Sequence, residues 1–166
     1  GDRVAQSDAV SRVVSLAERL GAKVYASAYT EVNFPTSHPL YAGILNLNNP
    51  TTAGQLAVAD VVLAIGANVF NSFLYVDTPF LAPATKLIHL DSSYQEVEKI
   101  YATEVGILAD PGEGAAELTD ALGQDMSASA KEAAATRAAK YADERRQSDE
   151  RYQEGLKGLL GRRPMA

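Results

Sequence analysis

Apolar residues recur along this chain in two alternating rhythms. Residues 7 to 20, "SDAVSRVVSLAERL", set Val10, Val13, Val14, Ala17 and Leu20 on one helical face. Ser7 or Asp8 can cap that helix, and Gly21 can end it. "KVYAS" follows as a short strand. The next stretch, "AYTEVNFPTSHPLYAGILNLNNP", reads as irregular, because Pro35, Pro39 and Pro50 forbid an extended helix. A short helix in "TAGQLAVA" leads into a strand at 60 to 65, ending at Gly66. "KLIHLD" (86 to 91) is a third strand and "SYQEVEKI" a helix after it. "VGILAD" (105 to 110) is a fourth strand, and "GEGAAELTDAL" starts a helix that fades by Gly123.

The strands are continuous apolar runs rather than alternating ones, and helices separate them. That pattern predicts a parallel sheet with helices on both faces, a Rossmann-like α/β domain. After "GQDMSAS" the character changes. Residues 128 to 160 are rich in Ala, Glu, Lys, Arg and Gln and contain no proline, which predicts a long C-terminal helix. Its apolar positions are mostly alanines, so it should pack on the sheet domain or another chain, or serve as a linker.

Composition narrows the partners. At 166 residues one domain is the default. Nine of the fifteen basic residues and six of the twenty-one acidic ones lie from residue 130 onward, so the tail is +3 and the rest −9. An acidic body disfavours nucleic acid, which needs a basic footprint. In the tail the charges alternate, as on a solvated helix laced with i,i+4 ion pairs. No apolar run approaches the ~20 residues of a membrane span, and no signal peptide opens the chain. With no cysteine there is no thiol nucleophile or thiolate metal site, and a cytoplasmic home is favoured.

Candidate chemistry is sparse. The only G-x-G is Gly112–Glu113–Gly114, but Glu117 stands where the third glycine of a dinucleotide fingerprint belongs. An ordinary helix start, with Asp110 near the N-terminal dipole, is the competing reading. Gly66 opens the loop beyond a strand's carboxyl end, where open α/β sheets bind ligands. Asp91 ends the next strand, where an acid can hold a ribose hydroxyl or make a turn or cap. These two are weak candidates for a nucleotide crevice. His38 precedes Pro39 in a turn, and His89, inside an apolar strand, reads as a satisfied core or edge histidine. No metal-ligand set assembles, and no catalytic residue is assigned to this fragment.

"FPTSHPLYAGIL", "ADVVLAIGANVFNSFLYVD", "KLIHLDSSYQEVEKIYATEVGILAD" and the helix at 114 to 122, taken in order, resemble the central domain of thiamine-diphosphate-dependent decarboxylases. The benzoylformate decarboxylase branch is the closest in appearance. The resemblance covers residues 1–123, leaving 124–129 as a linker and 130–161 as the charged Ala-rich helix. It implies a middle domain, structural in itself, of a 2-oxo-acid decarboxylase or carboligase. In that family thiamine diphosphate and Mg²⁺ are held by N-terminal and C-terminal domains, and active sites form between subunits. A homo-oligomer is therefore implied, and this fragment alone is expected to be inactive.

In the benzoylformate branch the loop after the 60–65 strand carries a proton-transferring histidine. Phe73 falls at its position here, so that role does not carry over. Phe73 could instead line an apolar substrate pocket, with Asn71 or Ser72 giving a hydrogen bond; packing at a domain interface is the other reading. Flavin-binding relatives often bear an arginine in this loop, and "GANVFNS" has none, so FAD is unlikely. "GDRV" resembles the turn after the family domain's first strand, which implies a sheet lacking a central strand. Dimerisation, a swapped segment or the C-terminal helix would then cover the gap. The alternative function is a stand-alone module binding ADP, NAD or FAD at Gly66 and Asp91.

Overall fold

The computed structural model describes residues 1–27, 30–45, 54, 56, 58–70 and 79–159. In chain order its elements are α1 (Asp2–Gln6), α2 (Val10–Leu20), β1 (Val24–Ser27), β2 (Tyr41–Leu45), β3 (Val61–Ile65), β4 (Lys86–Asp91), β5 (Val105–Leu108), α3 (Pro111–Asp125) and α4 (Ala128–Leu159). All strand pairs are parallel. The α/β alternation and the long C-terminal helix are those the apolar pattern predicts.

The described strands form two sheets, β1-β2 and β3-β4-β5. They belong to one layer. Val24 and Ala26 of β1 pack with Leu63 and Ile65 of β3 against one core, built on Val13, Leu16 and Ala17 of α2 and Ala115 of α3. Leu45 of β2 and Val62 of β3 share the opposite core, with Leu56, Phe70 and Phe80. β4, paired on both sides, buries Leu87, His89, Leu90 and Asp91. That matches a central parallel strand covered on both faces.

Gly21 ends α2 in the left-handed conformation, with φ 58°. Its N–H donates to Glu18 O, and the N–H of Ala22 donates to Ala17 O, so two late carbonyls of the helix are satisfied. The same glycine lets α4 approach: a Cβ there would collide with the Ala134 carbonyl. Ala134 is buried, Arg137 donates to Leu20 O, and Lys23 pairs with Glu144 at 2.6 Å. The alanine-rich first half of α4 thus lies on α2, while most side chains beyond Arg145 are exposed.

Several expectations need correction. Neither Ser7 nor Asp8 caps α2: residues 2–6 form the separate helix α1, Ala9 takes the cap position without a side-chain bond, and Asp8 turns the chain with φ 50°. "YAGIL", inside the stretch read as irregular, is β2; Pro39 only precedes it, so no ladder N–H is lost. "SYQEVEKI" is a run of turns, with i→i−3 bonds from Glu96 to Ser93 and from Lys99 to Glu96. Glu98, at φ 59°, breaks it, and its carboxylate accepts from the Thr103 hydroxyl at 2.7 Å. The penultimate helix runs to Asp125 instead of fading by Gly123, and α4 starts at Ala128, where the composition predicts it. Gly54 and Leu56 are helical, and Val58 and Ala59, at the end of the helix expected in "TAGQLAVA", are not; its other positions lie outside the described residues.

Candidate functional site

The carboxyl ends of β3 and β4 lie side by side, Ile65 opposite Leu90. Beyond them the chain must turn sharply, and Gly66, at φ 56°, permits it. Gly66 N–H still donates to Leu90 O at 2.9 Å. The loop then passes Ala67 and Asn68 to Phe70, whose φ of 52° is unusual for a bulky residue. Phe70 is buried against Phe80 and stands edge-on to Tyr101, ring centres 5.3 Å apart, which holds the strained turn in place.

Asp91 is fully buried at the end of β4, and its partner is Arg3. Arg3 Nη2 donates to Asp91 Oδ2 at 2.7 Å and to Asn68 Oδ1 at 3.0 Å. Arg3 Nε lies 2.6 Å from Asp91 Oδ1; that contact is an ion pair, since the N–H is not directed at the oxygen as a hydrogen bond requires. Oδ1 instead accepts from Ser93 N–H at 2.8 Å. Both carboxylate oxygens are engaged. His89 Nε2 donates to the Ala67 carbonyl at 3.1 Å, which fixes the proton on that nitrogen, and stands 3.5 Å from Asp91 Oδ2. α1 therefore locks the start of the loop to the ends of two strands.

The two nucleotide-crevice candidates are thus brought together, but α1 closes the space between them and solvent. Gly66 is buried, and a Cβ on it would sit 2.9 Å from Val4 N. Asp91 presents no free oxygen to a ribose. Arg3 is the residue that sequence reading missed. The signal was available in principle, because a carboxylate ending a buried strand requires a cation, but nothing in the local pattern says which.

The G-x-G segment starts α3 and holds no phosphate cradle. Asp110 Oδ1 accepts from Gly112 N–H at 2.8 Å and Glu113 N–H at 3.1 Å, taking the donors an anion would use. The Ser7 hydroxyl, then the Glu113 N–H, hold the Asp110 carboxyl below its ordinary pKa. Gly114 permits close packing, since a Cβ there would overlap Leu90. His38 is structural: its Nδ1 accepts from Leu40 N–H at 3.1 Å and its ring meets Phe34 edge-on. Asn71, Ser72 and Phe73 lie outside the described residues.

Among the described residues no group of three His, Asp or Glu side chains could hold a metal ion. Nor does any described helix have the length and apolarity to cross a membrane. With Asp91 paired to Arg3, the described residues of the crevice do not fit a diphosphate–metal group, and no reaction step is assigned to them.

Comparison with known proteins gives a consistent picture. The sequence model described as "Thiamine pyrophosphate enzyme, central domain" matches residues 1–118. A sulfoacetaldehyde acetyltransferase of Alcaligenes xylosoxydans xylosoxydans is 34% identical over 125 residues, covering 74% of this chain and 21% of its own. The acetolactate synthase large subunit of Corynebacterium glutamicum is 32% identical over 121 residues, covering 72% of this chain and 19% of its own. The thiamine diphosphate-dependent 4-hydroxybenzoylformate decarboxylase of Rhodococcus jostii RHA1 superposes with TM-score 0.65 at 28% identity, covering 76% of this chain and 24% of that one. The chain spans about a fifth of the length of the curated relatives it matches. With most of its length matched by that sequence model, and with the parallel α/β layer the relatives share, the chain belongs to the thiamine pyrophosphate enzyme central-domain family.

Proposed function

We propose that this chain is the structural middle of a thiamine-diphosphate-dependent enzyme that makes or breaks a carbon–carbon bond beside the carbonyl of a 2-oxo acid. The match of its residues 1–118 to the central-domain family carries that reading. In this proposal the other domains of the polypeptide hold thiamine diphosphate and Mg²⁺, the protein works as a homo-oligomer in the cytoplasm, and this domain lends one loop to the active site. The cofactor supplies the electron sink for the carbanion; a protein domain contributes position and orientation.

The loop's anchored start supports that role. Gly66, Asn68 and Phe70 are tied to β4, α1 and the Phe80–Tyr101 cluster, so the residues that follow leave from a fixed point. Asn71, Ser72 and Phe73 are the proposed substrate-facing positions, with Phe73 lining an apolar wall. The relatives span an acetyltransferase, a synthase and a decarboxylase, so the benzoylformate branch is one option within this proposal.

The test compares the native polypeptide carrying this sequence with the 166-residue chain. Each is given thiamine diphosphate, Mg²⁺ and a panel of 2-oxo acids, and CO₂ release and product are followed. Turnover by the native polypeptide alone is expected. Phe73→Ala in that polypeptide should shift preference among the acids while leaving its melting temperature near that of the parent. An unchanged preference would remove Phe73 from the pocket, and a native polypeptide inert toward the whole panel would overturn the proposal.

A further inference from the structure

Phe70 lies on the departing stem of the loop after β3 and Phe80 on the returning one, and a single later residue meets both. The Tyr101 ring stands edge-on to Phe70, centres 5.3 Å apart, and Phe70 lies 6.1 Å from Phe80. The Tyr101 hydroxyl accepts from Phe80 N–H at 3.3 Å, 21 positions earlier in the chain. Phe70 and Phe80 are buried in one cluster with Leu56, and Tyr101 packs against it. A backbone N–H beside such a cluster needs an acceptor, and here a side chain from outside the loop supplies it. Residues 71–78, between the stems, lie outside the described residues.

Tyr101 is itself held in place. The Thr103 N–H and hydroxyl both donate to Glu98 Oε1, at 3.3 and 2.7 Å, closing the short turn that carries Tyr101. Glu104 N–H donates to Leu87 O at 2.7 Å, which joins the exit of that turn to β4. The bonds at Gly66 and Asn68 fix only the departing stem of the loop, whereas the bond at Phe80 is on the returning one. The hydroxyl is the specific part. A phenylalanine would fill the same space and meet the same rings, but would leave Phe80 N–H without this acceptor.

We infer that Tyr101 is a positioning residue for the reaction: by clasping both stems it sets where the loop between them presents its side chains. The inference rests on the reading that this loop faces the substrate. A segment of given length samples fewer shapes when both ends are held at one separation. Misplacing a substrate-facing group by about 1 Å can cost about 100-fold in rate. Tyr101 acts through the loop, so its effect belongs to the chemistry and to substrate choice more than to folding.

Tyr101→Phe in the native polypeptide carrying this sequence tests it, because it removes the hydroxyl and keeps the ring. With thiamine diphosphate, Mg²⁺ and the panel of 2-oxo acids, kcat/KM should fall about fivefold or more, the worth of one ordinary hydrogen bond. Relative rates among the acids should change as well. Chymotrypsin, which can cut at Phe73, Leu74 or Tyr75, should do so at least roughly threefold faster. Cleavage of α4 should stay at the parent's rate, and the melting temperature within about 4 °C of it. Loop cleavage at the parent's rate would overturn the clasp and leave the proposed function standing. Faster loop cleavage with unchanged kinetics would overturn the positioning role alone. A polypeptide inert toward the whole panel would overturn the proposed function and this inference with it.

Discussion

Arg3 and Asp91, 88 positions apart, form a charge pair that binds the first helix to the end of β4, and Asn68 joins it from the loop after β3. Asp91 is wholly buried, whereas the Arg3 side chain keeps 20% of its surface in solvent. The carboxylate therefore depends on the pair more than the guanidinium does. Breaking a buried pair by removing one partner costs about 3–5 kcal/mol, because a charge is left uncompensated.

Arg3→Met should accordingly destabilise the chain by about 3 kcal/mol, the lower end reflecting the partial exposure of Arg3 and the remaining Ser93 bond to Asp91. Arg3→Met with Asp91→Asn should recover part of that loss, since the buried charge is then gone. Urea unfolding of the two variants measures the difference. Equal loss in single and double variants would show that the pair's charge is not what matters.

Gly21 separates two reasons for a glycine. Its φ of 58° admits asparagine with little penalty, but any Cβ there meets the Ala134 carbonyl of α4. Gly21→Asn should therefore be nearly as harmful as Gly21→Ala, each losing more than the roughly 1 kcal/mol of an ordinary left-handed position. Limited proteolysis should cut α4 faster in both variants. Asparagine restoring parent-like melting and protection would mean that α4 can shift aside at no cost.

The sequence made some of this legible for physical reasons. α2 announces itself through the 3.6-residue spacing of Val10, Val13 and Ala17 and the glycine after it, and β4 through the unbroken "KLIHL". His89 behaves as the satisfied core histidine its apolar strand suggests. β2 was hidden because flanking prolines outweigh a five-residue run in any local reading. The turns at 94–98 were hidden because helical composition says nothing of the left-handed backbone at Glu98 or of the bonds its carboxylate accepts from Thr103, five residues on. The Arg3–Asp91 pair has no local signature at all: its partners meet only once the sheet exists.

Asp110 gives a pH prediction. Its carboxyl caps α3 and is held below the ordinary aspartate pKa by the Ser7 hydroxyl and then by the Glu113 N–H. A group depressed in the folded state stabilises fully above its unfolded pKa of about 3.9 and loses that contribution as pH falls through the lower folded value. Asp110→Ala should cost about 1 kcal/mol at neutral pH, as N-cap losses do. The gap between parent and variant should narrow as the pH drops below about 4. Thermal melts at pH 7 and pH 3 read it; a gap that stays constant would show that the charged cap contributes nothing beyond the neutral one.

The crevice between β3 and β4 decides whether the domain can act as a nucleotide module. A ribose would need an oxygen of Asp91, yet one accepts from Arg3 Nη2 and the other from Ser93 N–H. A diphosphate would need open backbone donors at a helix start, yet Asp110 occupies those of α3 and α1 covers Gly66. Removing Arg3 would not open a site, because the exposed carboxylate would then repel phosphate. Calorimetric titration of ADP, NAD and FAD into the 166-residue chain should therefore give no binding heat, in the parent and in Arg3→Met alike. Micromolar binding by the parent would require α1 to lift from Gly66 and would revive the nucleotide module; its loss in Asp91→Asn would then place the ligand in this crevice.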